Sequence, residues 1–329
     1  MDNEFNIQEQ TSLSLSTRLA LFWRHGDQLF KAIIIIAAAL IIVLGTAIGY
    51  ELWINSELSR KAFGLSFLFS TRWDPAIDRM FGAFPFIQGT LVTSFIALLF
   101  AVPIGLGVAI FLAELAPTWL SRPLGLLVEL LAAVPSVVYG FWGLFAFIPF
   151  LVRPLSESLN QHLGFLPIFQ GPVFGPSRLA AGLILAIMVL PTIAAVSRDV
   201  FRAIPVTQRE ASLALGATRW ETISQVLVPY GLSGLLGAVI LGLGRALGET
   251  IAVTMVIGNN LDISSSVLHP GYTMASIIAN EFTEATYDLY LHALIEVALI
   301  LFIVTLGMNM IARLLVWRVS GKTKHEARA

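Results

Sequence analysis

Residues 205–229 read PVTQREASLALGATRWETISQVLVP, a polar, arginine-bearing stretch that runs directly into an apolar segment carrying Arg245 and Glu249. Pro205 suits a helix start, the residues from Gln208 to Leu215 predict two turns of helix, and Gly216 breaks them. A second helix is expected over 218–228, ending before Pro229. Two short helices meeting at a glycine give a compact protrusion that can seat in a groove on a partner and pass the partner's motion onward. An amphipathic pair lying flat on lipid would have the same pattern, and the residues alone leave both readings open.

The composition around this loop is that of a membrane protein. Hydrophobic residues make up 57% of the 329 and charged residues 12%, with a mean hydropathy of +0.81. A soluble domain is about half apolar and about a quarter charged. The net charge of -1 says little about partners, because position matters more than the sum. With no cysteine, disulfides and thiolate metal sites are excluded. The apolar run after Lys31 is too long for a signal-peptide core and lacks a small-residue cleavage pattern, so it reads as an uncleaved first span.

A spanning helix needs about 20 mostly apolar residues. Six stretches qualify: 32–54, 86–113, 125–151, 179–197, 230–258 and 289–316. Pro103 and Gly105 are placed to bend the second. The expected organisation is a tail over 1–31, a first helix with its connection over 32–85, a core over 86–316 that contains the loop 205–229, and a tail over 317–329. An even number of spans puts both termini on one side. The tails and the connections on their side carry thirteen Lys and Arg against six on the other, so the tails and the loop are expected in the cytoplasm. The external connections are then 55–85, 152–178 and 259–288, the last with Asp262, Glu281, Glu284 and Asp288 and no Lys or Arg. The pairs Gly244 and Gly248, and Gly45 and Gly49, would let helices approach closely, although glycine is common in membrane helices in any case.

Charges inside the hydrocarbon region are costly and face the bundle interior or a wet cavity. Arg245 lies about 24 Å along a helix from Pro229, near mid-membrane. On a continuous helix Glu249 sits one turn further on the same face, within pairing reach. Arg245 can meet a transiting oxyanion, with Glu249 competing so that the anion leaves again; the pair can equally be a salt bridge that locks helix packing. Glu129 and Glu296 read as helix-packing or interface groups. Thr90, Thr93 and Ser94 share a face of the second span and could donate to an oxyanion or bond back to their own helix.

Nothing in the chain resembles an energy source. Gly321-Lys322-Thr323 lacks the glycine five residues upstream, where Val316 stands, that a phosphate-binding loop requires. The five histidines are scattered, and no protease or hydrolase motif is present.

Glu210-Ala211-Ser212, then Gly216 six residues after Glu210, then Val228-Pro229, resembles the EAA loop of permease subunits of ABC importers, with Ser212 where Ala is usual. GRALGETIAVTMVIGN (244–259), AVPSVVYGFWGLFAFIP (133–149), FGAFPFIQGTLVTS (81–94) and FLAELAP (111–117) are similar to phosphate importer permeases of the PstC type. The PstA-type companion normally runs Ala-Pro-Leu-Leu where Ile251-Ala252-Val253-Thr254 stands here. The resemblance covers about 63–316. It implies an all-α integral membrane protein with six transmembrane helices and the type I ABC importer permease fold, which transports and is not itself an enzyme. The implied partners are a second homologous permease, a dimer of the ATP-hydrolysing subunit, an external phosphate-binding protein, inorganic phosphate and membrane lipid, with no nucleic acid. ATP and Mg would be bound by the partner ATPase, with no cofactor in this chain. It also implies Arg245 and Glu249 in the anion path, an ATPase-coupling loop around Glu210, Ala211, Ser212, Gly216 and Pro229, and residence in the bacterial inner membrane. Sulfate and molybdate permeases tend to carry Gly-Glu-Phe-Gly where Gly248-Glu249-Thr250-Ile251 stands. A non-transporting membrane anchor or signalling subunit is the reading from another class.

Overall fold

The computed structural model describes the backbone of residues 15–326 and the side chains of residues 30–318. Six of its helical segments are long and apolar enough to cross a membrane. The chain divides into two units, residues 1–54 and 55–329. The first is built on α1 (Leu15–Asn55), which starts inside the stretch read above as a tail. Its segment Phe30–Asn55 exposes isoleucine, leucine and valine all round, the surface a helix offers to lipid or to other apolar helices. Residues 1–14 and 327–329, with Arg328, lie outside the described residues, as do the side chains of Arg18, Arg24, Lys322 and Lys324.

The second unit is a bundle around α8 (Arg178–Ala203), whose apolar stretch is 67% buried against 33% for α4 (Phe84–Ile110). Ile184, Leu185, Met188, Val189 and Ile193 of α8 pack on Ala97 and Ala101 of α4 and on Val253 and Val256 of α12 (Ile251–Val256). Before α4 come two short helices, α2 (Glu57–Phe63) and α3 (Ser66–Phe69). With α13 (Met274–Glu281) and the start of α14 (Asp288–Glu326) they cap one end of the bundle with an aromatic cluster of Phe67, Trp73, Phe81, Phe86, Tyr272 and Tyr290.

Two expected spans come out differently. The third does not run over 125–151. Thr118–Ala132 is a separate helix, α5, and the spanning helix is Ser136–Leu163, made of α6 (Ser136–Trp142), a π-helical stretch and α7 (Arg153–Leu163). Helix α5 ends at Ala132 and the next begins at Ser136, and between them Pro135, which lacks an N–H and disfavours helical backbone at Val134, takes an extended ψ of 139°. Glu129 thereby leaves the spanning helix. The fifth span does not run through to 258: α11 (Val228–Gly248) stops, Glu249 is extended at φ -69°, ψ 124°, and α12 begins at Ile251. Nor does the helix before it end at Pro229. From α10 (Arg219–Glu221) the chain stays helical through a π-helical turn, Thr222–Leu227, into α11. Pro229 falls in the first turn of α11, directly after that π-helical turn.

Gly321-Lys322-Thr323 lies within the helical backbone of α14, not in a loop that could wrap a phosphate.

Candidate functional site

At one end of the bundle α9 (Val206–Ala214) projects from the end of α8. Pro205, with ψ 135°, turns the chain out of α8, and Gly216, at φ +88° with no heavy atom within 4 Å of a Cβ built there, turns it back. Thr218 and Glu221 then start α10 with a reciprocal cap: the Glu221 N–H donates to Thr218 Oγ1 at 3.3 Å and the Thr218 N–H to Glu221 Oε2 at 2.7 Å. Glu210 and Ala211 are exposed, and Leu215 is 90% exposed, an apolar tip that folding of this chain alone does not bury. Ser212 turns inward, its hydroxyl 3.0 Å from that of Thr222. Pro229 sits behind the loop in α11.

The strongest link in the loop is one the residue pattern did not single out. Arg209 forms a forked pair with Glu114 on the π-helical turn Phe111–Leu115 that ends α4. Nε donates to Oε1 and Oε2 at 3.1 and 3.0 Å, and Nη2 to Oε1 at 2.6 Å. Nη1 and Nη2 also donate to the carbonyls of Ile204 and Phe201 at 2.8 and 2.6 Å. The Glu114 carboxylate holds the Arg209 guanidinium above its ordinary pKa. An open cleft of about 220 Å³ beside the pair is lined by Glu114, Arg209, Leu213, Arg219 and Ile223. A glutamate in the otherwise apolar FLAELAP was the available signal; that it faces an arginine 95 residues later is a matter of folding.

Arg245 is half-buried on α11, and among the described residues its one hydrogen bond goes from Nη1 to Thr192 Oγ1 of α8 at 3.2 Å. The pair with Glu249 that a continuous helix would allow is not formed in this structure. Beyond the break at Gly248 the Glu249 carboxylate turns toward α12 and accepts the Ala252 N–H at 3.2 Å, next to the N-terminus of that helix. Arg245 thus keeps most of its five donors uncommitted within this chain, with no carboxylate within 4.0 Å among the described residues.

Thr90 and Thr93 are 1% exposed and their hydroxyls are committed. Thr90 Oγ1 donates to the Phe86 carbonyl at 2.8 Å and accepts the Met274 N–H of α13 at 2.9 Å; Thr93 Oγ1 donates to the Gly89 carbonyl at 2.9 Å. In this conformation neither is available to an anion. Ser94, 2% exposed, has no hydrogen-bond partner for its hydroxyl among the described residues. Glu129 on α5 pairs with Arg198 of α8 at 2.7 Å, where Gly125 leaves room for the guanidinium, a packing role. Glu296 is 6% exposed on α14, beside Ser59 of α2. No group of three residues suited to a metal ion occurs among the described residues.

At the opposite end Glu281 Oε2 accepts hydrogen bonds from Trp73 Nε1 and Tyr290 Oη, both at 2.6 Å, inside the aromatic cap. Burial raises its pKa, and the two hydrogen bonds oppose that only in part.

The family model for "Binding-protein-dependent transport system inner membrane component" matches residues 102–321. A phosphate transport system permease protein PstC of Xylella fastidiosa is 44% identical over 302 residues, covering 91% of this chain and 93% of that protein. The PstC of Haemophilus influenzae is 47% identical over 297 residues, covering 89% and 94%. Among solved structures, a chain of a bacterial alginate ABC transporter superposes with a TM-score of 0.56 at 17% identity over 93% of this chain and 98% of that one. A chain of the inward-facing MetNI methionine ABC transporter gives 0.53 at 20% identity over 70% and 93%. At those identities the superpositions speak for the fold, that of ABC transporter permeases.

Proposed function

The chain belongs to the family of binding-protein-dependent transport system inner membrane components, and from that membership we propose that it is the PstC-type permease subunit of an ATP-driven importer of inorganic phosphate. Near-full-length relatives that carry that name support the substrate. The observation within the chain that carries the reading is Arg245, a guanidinium inside a spanning helix held by one hydroxyl and no carboxylate. Such a group is costly in lipid unless it faces a wet path or a partner, and its planar fork matches a phosphate oxyanion.

In this reading the subunit pairs with a second homologous permease, and a dimer of a separate ATPase, which binds ATP and Mg, receives the loop around Glu210, Ala211, Ser212 and Gly216. An external binding protein delivers phosphate. Both termini and the loop face the cytoplasm, as the Lys and Arg distribution directs. Nucleotide binding closes the ATPase pair, moves α9 and opens the path outward; hydrolysis resets it. Glu249, near Arg245 but bound elsewhere, keeps the anion's stay short by like charge. The test is ATP-dependent uptake of labelled phosphate in vesicles that contain the assembled complex, with sulfate and molybdate as competitors. Uptake that excess sulfate and molybdate leave intact is the expected result. Uptake that either anion abolishes reassigns the cargo, and a complex that hydrolyses ATP yet moves no anion makes the chain an anchor.

A further inference from the structure

Both ends of α9 are joints. On one side Ile204 and Pro205 are extended, with ψ of 130° and 135°, and on the other Gly216 stands at φ +88°. The backbone alone would let α9 swing without dragging the helices it connects. Arg209 spans the first joint. It donates to the carbonyls of Phe201 and Ile204 at the end of α8, groups that a helix end leaves short of partners, and it grips Glu114 at the end of α4 with a charged fork. Across the second joint the polar links are neutral: the Ala217 N–H donates to the Ser212 carbonyl at 3.2 Å, and the Ser212 hydroxyl lies 3.0 Å from that of Thr222. A second tie stiffens the first side: Arg202 Nη2 of α8 donates to Ser121 Oγ of α5 at 3.0 Å, and that hydroxyl donates to the Leu112 carbonyl at 2.6 Å.

We infer that Arg209 and Glu114 are the positioning pair through which α9 drives α4 and α8 as one body. The inference rests on the proposed function only in taking α9 as the surface that the ATPase moves. The same two helices hold the loop at the far end of the bundle. Thr90 of α4 accepts the Met274 N–H at the start of α13, and Arg178 of α8 donates to the Ser264 carbonyl. A displacement of α9 therefore reaches the connection between α12 and α13 through a packed helix pair and hydrogen bonds at both of its ends. Among the described residues Arg219 and Leu213 border the pair but make no hydrogen bond to it, and the side-chain hydrogen bonds from α9 to the ends of α4 and α8 all come from Arg209.

The test uses the complete complex in proteoliposomes with its binding protein and compares wild type, Glu114→Gln and Arg209→Lys. Phosphate moved per ATP hydrolysed is expected to fall roughly three- to thirtyfold in both variants while hydrolysis continues. Uptake and hydrolysis falling in equal proportion would mean that the pair only supports the fold, and wild-type values for both would mean that it carries no load; either result overturns the inference. A second measurement keeps Arg209 and Glu114 intact and does not depend on phosphate being the cargo. The chain has no cysteine, so spin labels can be placed at Leu215→Cys and, on the turn that ends α4, Phe111→Cys, and in a separate sample at Leu215→Cys and Leu314→Cys, with thiols of the other subunits blocked. Between nucleotide-free and ATP-trapped complex the first separation is expected to hold and the second to change. If the first changes as much as the second, α9 moves free of α4 and the inference fails. A labelled complex, with Arg209 and Glu114 intact, that passes this distance test without taking up phosphate faults the cargo assignment alone.

Discussion

Arg245 and Glu249, four residues apart in sequence, stand on either side of a helix break: one guanidinium nitrogen reaches Thr192 on α8 at 3.2 Å, and the carboxylate accepts the Ala252 N–H at 3.2 Å on α12. The two charges share neither a helix nor a partner. Each is held by a different element, and the arginine keeps donors that meet no acceptor among the described residues.

That separation fixes the outcome of a double-mutant cycle in the assembled importer. Arg245→Gln is expected to lower phosphate uptake by about tenfold or more, the equivalent of about 1.4 kcal/mol, with the ATPase subunit still bound. No salt bridge joins the two in this fold, so adding Glu249→Gln has no unpaired charge to relieve and should deepen the loss or leave it, not reverse it. Recovery of uptake in the double variant would mean that a direct pair forms in another state of the cycle.

Gly216 should be intolerant of any side chain although it has space around it. Its φ of +88° costs an L residue about 1–2 kcal/mol. Gly216→Ala is expected to leave the thermal unfolding of the bundle within a few degrees of wild type while weakening retention of the ATPase on the affinity-purified permease. Full retention would show that the turn's geometry is not what presents α9.

A pair of glycines on α4 provides a test of packing. A Cβ at Gly89 would stand 1.9 Å from the Tyr272 carbonyl oxygen, backbone against backbone, whereas at Gly107 it meets nothing within 4 Å. Gly89→Ala should destabilise the purified permease by about 1–3 kcal/mol or more, and Gly107→Ala should be neutral or stabilising by about 0.5–1 kcal/mol, the usual gain in a helix interior. Thermal unfolding in detergent reads both. Equal melting temperatures for the two variants would contradict the close contact of α4 with the segment entering α13.

Glu281 gives a pH dependence of defined sign. Its pKa in the fold is raised above the ordinary 4.5 because burial disfavours the ionised form. Between 4.5 and the raised value the folded protein binds more proton than the unfolded chain, so this group's contribution to stability falls as pH rises through that window and is level above it. Acidifying from neutral pH should therefore recover stability until the unfolded chain also protonates. Glu281→Gln, which keeps an acceptor for Trp73 and Tyr290, should flatten that part of the profile in melting curves taken from about pH 4 to 7. An unchanged profile in the variant would place the titration on another group.

The sequence by itself determined the class. A 57% hydrophobic chain with six apolar stretches has no soluble solution, because each backbone N–H and C=O must find its partner inside a helix once water is gone. It also marked the protruding loop, since Pro205 and Gly216 act through local backbone geometry that needs no neighbours. Local chemistry went less far where prolines and glycines fell inside apolar runs. Hydropathy cannot see that Pro135 starts a helix or that Gly248 ends one, because lipid-facing and break-flanking residues are equally apolar. Only the tertiary structure decided the partners of the charges. Glu114 with Arg209, Glu129 with Arg198 and Arg245 with Thr192 join residues 95, 69 and 53 positions apart. A charge seeks the nearest opposite charge or dipole in space, and which one that is depends on how the helices pack. No periodicity along the chain encodes that distance, and so Arg245 and Glu249, neighbours in sequence, turn to different helices at a break.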